Sequence, residues 1–203
     1  MPLPFAKVSP LSLFVSPLFA VDLDAGERAA VAEALRDQPA GRDLARLPAL
    51  AALALQVEAL AERVLEELKC EQRGARVARL WLEELPAAAP GQVLLHPNAY
   101  LGGLYRPDGT TPETVLFQDP RPQVRLLQAP LEAATPLTAG EASVPLPAGR
   151  LLLFPAYLLH QPVAAPHARR LVRFAVSFRR YAERLAPPRW TGMTAGQARD
   201  GEA

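Results

Sequence analysis

Hydrophobic residues recur along this chain with two different periods, and the change between them falls near Gly74. Ahead of it the spacing is helical. Asp24 and Glu27 stand in the positions of a capping box, and Ala29, Ala30, Val31 and Leu35 supply an apolar side, so a helix is predicted to begin there. Pro39 and Gly41 end it near Asp37 or Gln38. A longer helix is predicted from about Leu50 to Glu71, with Leu53, Val57, Leu60, Val64 and Leu68 as one buried stripe that calls for a sheet beneath it. The first 23 residues read as extended, because Pro2, Pro4, Pro10 and Pro17 disfavour helix.

After Gly74 the alternation has period two. Val77, Arg79 and Trp81 fall on one face of a strand, and Ala78, Leu80 and Leu82 on the other. Further strands are predicted over 92–96, 100–105, 114–118, 124–128, 141–144, 150–154 and 171–178. Turns are expected at Pro107-Asp108-Gly109, Asp119-Pro120 and Pro147-Ala148-Gly149. No helices of 10 to 15 residues separate these strands, which disfavours a strand-helix repeat. An antiparallel barrel or sandwich with a helical cover is the expected class.

Composition narrows the functions. With 22 Lys and Arg against 21 Asp and Glu, the chain of 203 residues has a net charge of +1, so overall attraction to nucleic acid is not expected. Arg169, Arg170, Arg179, Arg180 and Arg184 form a basic concentration read as a solvated surface. Cys70 is the only cysteine, which excludes a disulfide framework within the chain. No apolar run reaches the roughly 20 residues of a membrane span. The short run from Leu11 to Ala20 reads as a strand with a turn rather than a signal peptide, and a cytoplasmic location is expected.

Three residues carry the chemical interest. His96 and His160 each close an apolar stretch, where an imidazole at a barrel rim can turn towards a shared cavity. On spacing alone, a structural or surface place is favoured for each. Arg173 lies in Leu-Val-Arg-Phe-Ala-Val-Ser-Phe, where Val172, Phe174, Val176 and Phe178 share one face and Arg173, Ala175 and Ser177 the other. An arginine among small neighbours can hold a carboxylate with two donors, or simply face solvent. His167 reads as an exposed loop residue.

Trp81, His96-Pro97-Asn98, Gly102-Gly103-Leu104-Tyr105-Arg106, Phe117-Gln118-Asp119-Pro120-Arg121, Gly149-Arg150-Leu151-Leu152-Leu153-Phe154-Pro155, His160 and Arg173-Phe174-Ala175-Val176-Ser177-Phe178 follow one another in a recognisable order. In that order the chain resembles the iron(II)/2-oxoglutarate-dependent oxygenases, specifically a small bacterial and phage group. The resemblance implies a mainly β fold, a double-stranded β-helix (cupin-like jelly roll) with supporting N-terminal helices. One domain over 1–190 is expected, with 191–203 as a flexible tail. The resemblance further implies a dioxygenase, commonly a hydroxylase, using Fe(II) and 2-oxoglutarate on an unidentified small-molecule or peptide substrate. His96 and His160 would be metal ligands, Arg173 the clamp on the distal carboxylate of 2-oxoglutarate, and Tyr105 a lining residue of the same cavity. Asp119 and Arg121 are assigned to turn structure.

The chain also departs from that pattern. The first metal histidine falls on Leu94, which has no donor atom, while Gly102 stands for a serine and Arg106 for a tyrosine. Three readings stay open. Iron is held by His96 and His160 with Asn98 or water as a substitute; or catalysis is lost and an anion or dicarboxylate pocket persists around Arg173 in a binding or structural jelly roll; or another activity has taken over the mouth of the fold.

Overall fold

The computed structural model describes residues 15–71, 74–121, 130, 132, 133, 135 and 138–178. The strand expected over 124–128, the C-terminal tail and Arg179, Arg180 and Arg184 lie outside the described residues. A short strand β1 (Phe19–Asp22) leads into helix α1 (Ala25–Leu35). A 3₁₀ turn (Pro48–Leu50) opens helix α2 (Ala51–Glu67). Strands β2 (Ala75–Leu85), β3 (Leu101–Tyr105), β4 (Glu113–Gln118), β5 (Glu141–Leu146), β6 (Arg150–Pro155), β7 (His160–Pro162) and β8 (Arg169–Phe178) follow.

The strands form two antiparallel sheets, one ordered β1-β6-β3-β8-β2 and the other β5-β4-β7. Consecutive strands β5 and β6 sit in different sheets, and the Pro147-Ala148-Gly149 turn between them carries the chain across. This is a jelly roll with N-terminal helices over its larger sheet. Among the described residues no helix is long and apolar enough to cross a membrane.

Two apolar cores result from the alternation. Leu80 and Leu82 on β2, Leu151 and Leu153 on β6, and Val172, Phe174, Val176 and Phe178 on β8 face the helices. Leu104, Leu152, Phe154, Leu171, Val115 and Phe117 fill the space between the sheets. In β2 the register slips between Val77 and Arg79, a bulge that leaves Ala78 exposed instead of packing with Leu80 and Leu82.

The capping box of α1 forms as expected, with Asp24 accepting from the Glu27 amide at 2.8 Å and Glu27 accepting from the Asp24 amide at 3.1 Å. Only Val31 and Leu35 of its apolar side are buried. In α2 the buried set is Leu53, Val57, Ala61, Val64 and Leu65. The stripe is therefore rotated from the expected one, with Ala61 and Leu65 taking the places assigned to Leu60 and Leu68. A small residue lets the helix lie close to β2, which a leucine stripe counted from the sequence does not reveal.

The basic concentration is not uniformly solvated. Arg170 donates to the carbonyls of Leu35 (2.8 Å) and Gln38 (3.0 Å), satisfying the free end of α1. Arg169 is buried between Glu113, whose Oε2 it meets at 2.7 Å, and the carbonyls of Pro86, Ala89 and Val163. Arg106 is buried as well, 3.8 Å from Glu113, and bonds the carbonyls of Asp108 and Thr111. The Pro107-Asp108-Gly109 turn wraps around this guanidinium. Gly109 has φ of +108°, and a Cβ there would strike the Arg106 side chain. His167 is half-buried, its Nε2 3.7 Å from Glu113.

Candidate functional site

His160 opens β7 directly opposite Phe117 on β4. Its backbone also exchanges two 3.0 Å hydrogen bonds with Leu94. That bridge is all that forms of the strand expected over 92–96. Pro97 and the left-handed Asn98 (φ +66°) turn the chain away, so His96 is displayed from a loop. Arg173 sits on β8, opposite Leu104 of β3 and Trp81 of β2, and so points between the sheets.

The structure brings His96, His160 and Arg173 together. The two imidazoles are stacked at 5.2 Å between ring centres and 23° between planes. Phe154 (4.6 Å) and Phe117 (5.9 Å) wall in His160, and the edge of Trp81 meets His96 at 5.8 Å. Arg173 has no exposed surface. Its Nη1 donates to His160 Nε2 at 3.0 Å, its Nε donates to Glu83 Oε2 at 2.6 Å, and its Nη2 reaches the Gln92 carbonyl at 3.5 Å. On the other side of the ring, His160 Nδ1 lies 3.1 Å from the Leu158 carbonyl. A carbonyl only accepts and a guanidinium only donates. His160 is therefore the neutral tautomer with its hydrogen on Nδ1 and its lone pair given to Arg173.

Both rings are held uncharged. Burial, reinforced by the nearby Arg173 charge, brings His96 down to about 4. Burial is also the main cause for His160, with Arg173 and His96 adding to it and the Leu158 carbonyl opposing, and the result is about 3. His96 Nε2 is buried without a hydrogen-bond partner.

Tyr105 does not belong to this cluster. It follows Leu104 on β3 and so faces the opposite way, into the helix-side core. Burial there raises its hydroxyl to about 12. Asn98 is exposed on the outer side of the His96 loop. A cavity of about 660 Å³ lies there, lined by Asn98, Tyr100, Tyr157, Leu95 and Cys70 among others; His96 also lines it, whereas His160 and Arg173 do not. Asp119 and Arg121 pair locally at 2.6 Å, in keeping with a turn.

Gly102 explains the position of His96. A Cβ on residue 102 would collide with the His96 ring, so the imidazole occupies the space a serine would take. The Gly102→Ser variant is expected to displace the ring and destabilise the fold by about 1–3 kcal/mol. Urea unfolding of the variant beside the parent checks this; a change below about 0.5 kcal/mol would mean the ring moves freely.

No family model and no curated protein matches the chain. Solved structures do. The non-heme alpha ketoglutarate dependent epimerase SnoN from nogalamycin biosynthesis aligns with a TM-score of 0.57 at 18% identity, over 80% of this chain and 79% of that one. A Pseudomonas putida prolyl-4-hydroxylase aligns with 0.56 at 14%, over 81% and 86%. HygX from Streptomyces hygroscopicus, with nickel and 2-oxoglutarate bound, aligns with 0.54 at 15%, over 81% and 83%. This is the fold of the iron(II)/2-oxoglutarate oxygenases.

Sharing the oxygenase fold does not supply the donors that iron needs. A facial site takes two imidazoles and a carboxylate, or an equivalent third donor, converging on one point. Here the imidazoles stack instead of converging, and the ring nitrogen of His160 that faces the interior is bonded to a cation. Leu94, beside His160, offers nothing. Among the described residues no three of His, Cys, Asp and Glu are grouped to hold a metal. The described residues of this site do not fit the metal.

Glu83 was not marked by the sequence. It lies two residues beyond Trp81 on the same face of β2, diagonal to Arg173 across the strand pair. Only the β2–β8 pairing exposes the relation, and a separation of 90 residues hides it.

Proposed function

We propose that this chain uses the oxygenase jelly roll as a binding or structural module and does not carry out iron(II)- and 2-oxoglutarate-dependent oxidation. The observation that supports this reading is the bond from Arg173 to His160 Nε2. A divalent cation and a guanidinium compete for the same lone pair, and the guanidinium is covalently tethered, fully buried and neutralised by Glu83. Capturing iron at His160 would strip Arg173 of that acceptor while leaving its charge buried, at a cost of several kcal/mol. Two stacked imidazoles without a carboxylate offer little to offset it.

The test is metal and turnover together. Protein handled anaerobically in reductant is dialysed against Fe(II), and in parallel against Co(II) as a redox-stable stand-in. Oxygenated samples are then assayed for succinate released from 2-oxoglutarate. Metal well below one equivalent and succinate at the protein-free background are expected. One equivalent of metal with succinate formation overturns the reading.

A further inference from the structure

The carboxylate at the Arg173 site comes from the chain itself. We infer that Glu83 is a built-in plug at this site, occupying the place of a small carboxylate ligand, and that removing it turns the protein into a receptor for small carboxylates. The inference deepens the non-catalytic reading of the site and rests on it.

Four observations lead there. First, the guanidinium has anchors besides Glu83, the His160 ring nitrogen at 3.0 Å and the more distant Gln92 carbonyl at 3.5 Å, which keep its place when Glu83 is removed. Second, a guanidinium has five N–H donors, and the Glu83 contact engages Nε alone, a one-point grip where a free carboxylate can engage two donors. Third, Arg173 is wholly buried whereas Glu83 keeps 15% of its side chain in solvent, so the plug stands at the rim. Fourth, Arg173 is the only polar partner of the Glu83 carboxylate among the described residues. Nothing else would have to be rebuilt if the carboxylate came from solution.

Glu83→Ala removes the carboxylate and one methylene, an acetate-sized fragment, leaving a rimmed cavity with an unpaired cation at its floor. Formate and acetate fit both the volume and the charge. Glu83→Gln keeps the volume filled and removes only the charge, so it offers no space for a ligand.

The experiment follows the thermal midpoint of wild type, Glu83→Ala and Glu83→Gln, all stripped of metal by chelator, as formate or acetate replaces chloride at constant ionic strength. The expected result for Glu83→Ala is a low midpoint in chloride that climbs by at least about 5 °C towards 100 mM formate, as for any ligand binding only the folded state. Wild type and Glu83→Gln are expected to stay level. Equal midpoints in formate and chloride for Glu83→Ala, or an equal climb in wild type, overturn the inference. Should Glu83→Ala be insoluble, Glu83→Ser purified in formate takes its place, and failure of both to fold in formate also overturns it. The absence of metal separates this outcome from the proposed function: iron uptake and succinate formation by wild type would sink that reading whatever formate does.

Discussion

Replacing Glu113 with alanine is expected to lower the free energy of unfolding by about 3–5 kcal/mol, the scale seen when one partner of a buried ion cluster is removed. Glu113 begins β4 with 1% of its side chain exposed and stands between two guanidiniums, Arg169 at 2.7 Å and Arg106 at 3.8 Å, which are themselves 2% and 1% exposed. Without the carboxylate, two buried cations would face each other, with backbone carbonyls and the more distant charge of Asp108 left to offset them. Burial already pulls the Arg106 guanidinium below its ordinary value, and Glu113 is the first of the charges that restore it. A domain of this size is stable by only about 5–15 kcal/mol, so the loss is a large share of the total. Glu113→Gln keeps the shape and one acceptor and should cost less than Glu113→Ala. Urea unfolding of the two variants checks the order. A loss under 1 kcal/mol for Glu113→Ala would show that water reaches the cluster and screens it.

What the sequence made legible follows the range of the interactions. The capping box at Asp24 and Glu27, the turns and most strands depend on residues within four or five positions of one another, and the sequence pattern shows them directly. The face of β8 that carries Arg173 followed from simple alternation. What stayed hidden depends on which strands become neighbours. Arg169 looked like part of a solvated basic run because its partner Glu113 is 56 residues away on the other sheet. Family resemblance puts Tyr105 near the histidines, but alternation along β3 sends Leu104 inward and Tyr105 to the helices. Leu94 gave early notice of a missing donor. That Arg173 takes up the lone pair of His160 could be seen only once β7 and β8 were folded together.

Lowering the pH from 7 to 4 is expected to destabilise the protein steeply, with the histidine pair as a main source. In the unfolded chain each ring returns to its ordinary value near 6.5, whereas in the folded protein His96 sits at about 4 and His160 at about 3. Below 6.5 the unfolded state therefore binds more protons than the folded state. Stability contributed by the neutral rings is complete above 6.5 and drains away as the pH falls towards 3, by up to about 1.4 kcal/mol per unit for each ring. The geometry gives the reason. Nδ1 of His160 already carries its hydrogen, so a second proton must go to Nε2, where it would point at the N–H of Arg173. Charging His96 would place a second cation near that guanidinium, on a buried ring flanked by Trp81 and Phe154. His96→Leu removes one titrating ring and should roughly halve this part of the slope between pH 6.5 and 4, whereas unfolding curves that stay level from pH 7 to 5 in the parent protein would mean that the two rings accept protons without dislodging Arg173, and that the bond holding His160 away from metal is weaker than its burial implies.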